Sequence, residues 1–234
     1  SYPSPNNIQY IEVSPWPNTS SVDTIDFIVS EEIFFTAQPY AAIRGAEVAG
    51  LSTDRHVVNV INHGVICMEY VIDLTFDNGS RFVHQGGDVH FHANQACMSF
   101  GNGGALEVAE GQTFEYGKGG RGMLALRTGG TIEIGQNAEL KIHNTLLMFE
   151  YEEDAPGQIY MTLKPGSKLT FMPGSRIKNH WSKDGTMRLN VFMKGGELDD
   201  SGLPDADKKL INRIYDEPGF VPFKNVGVLE LSLI

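Results

Sequence analysis

Asp88, His90 and His92 alternate along one short segment, Asp88-Val89-His90-Phe91-His92. Alternate side chains of an extended strand share a face, so two imidazoles at i and i+2 can grip a transition metal, with Asp88 adding an oxygen. His84 lies just upstream. A second group is the acidic loop Asp199-Asp200-Ser201-Gly202-Leu203-Pro204-Asp205-Ala206-Asp207. Oxygen-rich loops suit calcium, the single cofactor the chain suggests, but the alternating ligands, central Gly and closing Glu of an EF-hand are missing. The plain alternative for Asp199, Asp200 and Asp205 is a turn leading into a helix cap. A third group is Glu107 and Glu133, which lie 26 residues apart. Two carboxylates held within several ångströms can act as general acid and base on a glycosidic bond. Glu150, Glu152 and Asp154 add acids beside Pro156-Gly157, where a solvated loop is expected. Tyr151, Tyr160 and Trp181 are aromatics at outward or corner positions, suited to stacking on sugar rings.

What positions these residues is a repeat. Glycine, two residues, apolar, any residue, apolar recurs along the chain. It runs Gly86-Gly87-Asp88-Val89-His90-Phe91, Gly103-Gly104-Ala105-Leu106-Glu107-Val108 and Gly111-Gln112-Thr113-Phe114-Glu115-Tyr116. It continues as Gly129-Gly130-Thr131-Ile132-Glu133-Ile134 and Gly166-Ser167-Lys168-Leu169-Thr170-Phe171, with partial copies at Gly174 and Gly195. Each copy reads as a sharp turn followed by a short half-buried strand. Strands begin at Leu106, Phe114, Leu124, Ile132 and Leu140, and three of them fill about 26 residues. The same beat places Ile159 at 27 residues beyond Ile132, and Met187 at 28 beyond that. Such a metric predicts an all-β, single-stranded parallel β-helix, in which stacked coils share one apolar column. A sandwich or up-and-down barrel also spaces strands evenly, but with longer strands. No six-residue beat of a left-handed hexapeptide helix is present.

The repeat sets directions. Val89 and Phe91 take the inward positions, so His90 and His92 face outward, where the plain alternative is solvated surface. Glu107 and Glu133 fall in the same outward row of neighbouring coils, about 5 Å apart. Glu115 lies one coil before Lys141. Solubilising outer faces carry such charges too. A cupin-type His-x-His pair would require a Glu soon after, and Ala96 and Cys97 stand in that region instead.

The stretch from roughly 80 to 200 resembles the right-handed parallel β-helix, the pectin-lyase-like architecture. Its texture is similar to that of bacterial β-helical surface proteins. The resemblance rests on the strand–glycine rhythm, not on a catalytic motif. It implies that any lyase or hydrolase chemistry would sit on the outer face of neighbouring coils, with acids and Arg or Lys together; no Asp-rich family motif surrounds Glu107 or Glu133. It also implies an extracellular or cell-surface location.

Residues 1–55 read as an extended N-terminal capping segment, and residues 56–234 as the β-helix. Pro3, Pro5, Pro15 and Pro17 favour an extended start, and strands in 22–36 would close the first coil. Near the other end, Asp205 is expected to cap a helix from Ala206 to Tyr215, inside an insertion at about 204–216. Leu210, Ile211 and Ile214 form its stripe and Pro218-Gly219 stops it. Val226 to Leu233 would then resume the stack. The start at Ser1, without Met or a basic-then-apolar leader, suggests a processed or excised chain, and the abrupt end of the Val228–Ile234 alternation favours a piece of a longer one, with further coils or domains as partners.

Composition narrows the functions. The chain has 234 residues, 26 of them Gly, only 20% charged, with a net charge of −11. Glycine at this level disfavours long helices. An acidic, weakly charged chain is a poor partner for a phosphate backbone, so no nucleic acid is expected. No run of about 18 apolar residues exists, so no membrane insertion is expected. Gly117-Lys118-Gly119-Gly120-Arg121-Gly122 lacks the Lys-Ser/Thr ending of a phosphate loop. No Gly-x-Ser-x-Gly elbow occurs. Cys67 and Cys97 permit one disulfide or two buried thiols. Asn18 and Asn78 begin glycosylation triplets that matter only in a secreted eukaryotic chain. The leading expectation is a non-catalytic binding or adhesion module, with carbohydrate as its ligand class and a polysaccharide or surface glycan as partner. A polysaccharide lyase or glycoside hydrolase is the enzyme alternative. A structural spacer of a larger surface protein is the third.

Overall fold

The computed structural model describes residues 10–12, 24–35, 40–44, 57–68, 73–92, 96–119, 122–150, 159–180 and 187–215. The chain forms a parallel β-solenoid, consistent with the right-handed parallel β-helix, and every strand pairing within it is parallel. Three faces wind around one core. The first face stacks seven strands, from Tyr10–Glu12 through Asp73–Asp77, Cys97–Phe100, Met123–Leu126 and Leu146–Phe149 to Arg176–Asn179. The second stacks eight, from Thr24–Val29 through Arg81–His84, Ala105–Val108, Thr131–Ile134 and Tyr160–Leu163 to Leu189–Met193 and Ile211–Tyr215. The third face is split: three strands end at Asp88–Phe91, and a separate sheet of four begins at Thr113–Tyr116.

Most of these strands are four residues long because a turn follows almost at once. Their inward positions hold large apolar side chains, and the expected starts Leu106, Phe114, Leu124, Ile132 and Leu140 are all buried. Stacking places like on like. Phe76 lies over Phe100 with ring centroids 5.1 Å apart, and Phe91 meets Tyr116 at 5.0 Å. Burial pushes the Tyr116 phenol well above its usual pKa, and the hydroxyl crosses the core to donate to the carbonyl of Met123. Strands Thr24–Val29, Glu32–Phe35 and Tyr40–Arg44 occupy the same three faces, in register with Val57–Asn62, Val65–Met68 and Asp73–Asp77.

Glycine is required at the corners for two separate reasons. Gly129 has φ +79°, a conformation that costs other residues strain. Gly130 needs its missing Cβ, because that atom would run into the Phe100 carbonyl of the coil below. Asparagine does part of the same work. Asn78 and Asn102 both have positive φ, and the Asn102 amide donates to the Asn78 side-chain oxygen at 2.6 Å.

Two details differ from the sequence expectation. The coil length is not held near 26–28. Leu106 pairs with Ile132 as expected, but Ile132 pairs with Met161 and Met161 with Val191, so Ile159 and Met187 are not the row partners. Longer excursions between faces shift the beat by two to four residues without disturbing the register of the strands. The predicted helix is also shorter. Only Asp205–Lys208 is helical, with Pro204 rather than Asp205 at the N-cap and no side-chain cap. Ile211–Tyr215 is a strand laid on Leu189–Met193. Ile211 and Ile214 fit a helical stripe and a β-branched strand equally well, and an open sheet edge selects the strand. The Val226–Leu233 stretch lies outside the described residues.

Candidate functional site

The outward row of the second face carries the predicted acids. Glu107 pairs in register with Glu133, as the 26-residue spacing requires. The alternation of Ala105–Val108 and Thr131–Ile134 turns Leu106, Val108, Ile132 and Ile134 into the core and leaves the carboxylates half exposed. Two cations flank that row, Arg81 in the neighbouring outward row beside Ala105 and Lys164 just past the end of Tyr160–Leu163. Arg81 donates to Glu107 at 2.5 Å and its guanidinium lies 3.9 Å from Glu133. Lys164 reaches Glu133 at 3.5 Å. Tyr160 stands on the next strand, and its ring meets Phe192 edge-on at 5.5 Å. Burial, with the Glu133 charge as the smaller cause, raises the Tyr160 pKa. The result is a cluster of Arg81, Glu107, Glu133 and Lys164 beside an aromatic pair, running obliquely across strands about 4.8 Å apart.

Both carboxylates project from one sheet and converge on the same arginine. The acid, base and cation that a hydrolase uses are therefore present in kind on the outer face of neighbouring coils.

The His pair is placed as the alternation predicts. His90 and His92 are exposed, with ring centroids 6.2 Å apart, and Val89 and Phe91 are buried. The third residue near them is Cys67, directly beneath His90 in the ladder. Asp88 does not belong to that group of ligand atoms; its charge acts instead on Lys118 and on His84. His84 is a core residue. It stacks on Phe114 at 4.3 Å, and its Nε2 donates to the Thr113 carbonyl at 3.0 Å. Burial holds its pKa below the usual histidine value.

The acidic loop is committed to turns and ion pairs. Asp199 accepts from the Ser201 hydroxyl and from its amide at 3.1 Å; these, the hydroxyl first, hold its carboxyl low, and Lys168 lies 3.9 Å away. Asp200 pairs with Arg213, and Asp205 with Lys208. Among the described residues these aspartates do not gather their oxygens at one point. Tyr151, Trp181, Glu152 and Asp154 lie outside the described residues.

One cluster was not singled out from sequence. On the outward side of the first face, Asp73 accepts from the Ser99 hydroxyl at 2.5 Å and from Arg127 at 2.9 Å. Glu150 lies 3.7 Å from Arg127 and 3.8 Å from His180. Serine, arginine, acid and histidine together suggest catalysis until exposure is considered: Ser99 is 0% exposed and Cys97 beside it 6%. Burial pushes the Cys97 thiol up to about 12. A polymer cannot reach such a hydroxyl, so this network holds coils together. The coil register, applied to polar as well as acidic residues, would have found it. Cys97 and Cys67 lie on different faces and are both thiols.

No family model, curated protein or solved structure gave a significant match to the chain. Among the described residues no helix is long and apolar enough to cross a membrane.

Proposed function

We propose that the chain is an extracellular or cell-surface binding module whose second face takes a glycan, without cleaving it. The observation that carries this reading is the outward cluster in which Glu107 stacks on Glu133 and Arg81 and Lys164 reach in beside them, with Tyr160 in the same outward row as Arg81. Sugar hydroxyls both donate and accept, and cations set beside carboxylates meet both needs. The partly exposed Tyr160 supplies an apolar ring edge for a sugar face. A stacked sheet holds these groups without ordering cost on binding.

A glycan array with the full chain, followed by reducing-end assays on the hits, tests this. Binding without turnover, weakened at least tenfold by Tyr160→Ala or Arg81→Ala, is the expected result. Turnover would assign the face to a lyase or hydrolase. Absence of binding, or binding indifferent to both substitutions, would overturn the assignment of this face and leave a spacer or another surface.

A further inference from the structure

Cys67, His90 and His92 offer a thiol and two imidazoles whose ligand atoms all lie within 4.8 Å of one another. The strands put them there. Ile66 and Met68 turn inward from Val65–Met68, which sends Cys67 outward, and His90 sits above it in the next coil. The Cys67 Sγ lies 4.0 Å from His90 Nδ1. Glu32, one coil below, brings a carboxylate oxygen to 3.4 Å from the same sulfur. Cys67 is itself buried, and the two exposed imidazoles lie beside it at the outer side of the third face, where its ladder ends at Asp88–Phe91.

We propose that this cluster is a zinc site, with Cys67, His90 and His92 as ligands and solvent completing the shell. Tetrahedral zinc with bonds of about 2.3 Å to sulfur and 2.0–2.1 Å to nitrogen sets neighbouring ligand atoms about 3.3–3.6 Å apart. The observed separations, up to 4.8 Å, exceed that range, so the two exposed imidazoles must turn toward the sulfur as the metal enters. One thiolate and two imidazoles select a borderline metal; calcium and magnesium want oxygen throughout. As the Zn–S bond forms, the thiol proton leaves to solvent, so binding strengthens with pH. A metal here would clip two successive coils together at the point where the third face lacks a continuous ladder. The inference is independent of the glycan reading, since the two sites lie on different faces.

The test uses the full chain, tag-free and stripped with chelator. Cobalt titration reads the ligands directly, and competition against a chromophoric zinc indicator gives affinity and stoichiometry. One equivalent of cobalt should produce a thiolate-to-metal charge-transfer band and the intense visible bands of a tetrahedral site. Cys67→Ser should abolish the charge-transfer band, and His90→Ala and His92→Ala should each weaken zinc binding at least tenfold. Asp88→Asn should leave both readouts unchanged. The histidines are exposed, so their variants keep the fold, which circular dichroism verifies. Zinc should raise the melting temperature of the wild type and not of His90→Ala. Absence of the charge-transfer band, or stoichiometric binding that survives both histidine substitutions, would overturn the site.

Discussion

Asp207 gives the sharpest test of how the solenoid ends. Its carboxylate is 4% exposed, on the single helical turn that follows the acidic loop. It accepts from the Ile177 backbone N–H at 2.9 Å and from Arg176 at 2.7 and 3.3 Å. Ile177 lies in the last described strand of the first face, so the carboxylate covers an edge donor that a further strand would otherwise meet. Asp207→Ala orphans that buried N–H, at a cost of about 1–3 kcal/mol. Arg176, whose side chain is 59% exposed, returns to water at little further cost. The sum stays at about 1–3 kcal/mol, or about 2–12 °C in melting temperature for a chain of this size. Arg176→Ala should cost under about 1 kcal/mol, because the edge remains covered. Hydrogen exchange should rise at 176–179 and not at 131–134, since coils interact mainly with their neighbours. Burial alone would raise the Asp207 pKa, but the Arg176 and Ile177 hydrogen bonds outweigh it and hold it below the usual carboxylate value. A depressed native pKa contributes stability that is present above the unfolded value of about 3.9 and lost as pH falls through the folded one. The gap between wild type and Asp207→Ala should therefore narrow below about pH 4. Equal effects of the two substitutions, or unchanged exchange at Ile177, would refute the edge-cap reasoning.

Two further outcomes follow from the coil geometry. Gly130→Ala should destabilise clearly more than Gly111→Ala: the first pushes a Cβ into the Phe100 carbonyl, whereas the second meets open space and suffers only the strain of φ +70°, about 1 kcal/mol. Paired thermal melts check the order. At pH 8 a thiol with a pKa of about 12 is ionised to about one part in 10⁴, so Cys97 should resist alkylation in the native chain and react on denaturation, as peptide mapping would show.

The second-face acids were legible because the repeat fixes both direction and stacking. Glu107 faces outward for the same reason that Leu106 faces in, and Glu133 lies above it because the intervening coil has no long excursion. The same arithmetic failed one coil later, since the strands stack by hydrogen bonding while the corners absorb extra residues, so Ile132 meets Met161 rather than Ile159. The Cys67–His90 contact was out of reach for a related reason: their 23-residue separation belongs to a short coil, and the beat was calibrated on longer ones. At Ile211–Tyr215, local pattern allowed helix and strand alike, and a tertiary fact, the open edge of Leu189–Met193, decided between them.

The outer surfaces of the three faces differ in what they leave accessible, and that difference favours the second face for a ligand. On the first, the central outward positions Cys97, Ser99 and Ala125 are buried, so its Asp73–Arg127–Glu150 network has its partners within the protein. The third is divided between Asp88–Phe91 and Thr113–Tyr116, which interrupts any row that an extended polymer could follow. The second runs without a break through eight strands, and its outward cluster of Arg81, Glu107, Glu133 and Lys164 stays partly exposed. A spacer needs charge on such a face but no convergence of it, because exposed ion pairs contribute only about 0–1 kcal/mol to stability. Glu107 stacked on Glu133, with Arg81 and Tyr160 together in the neighbouring outward row, is what a repeating partner would use.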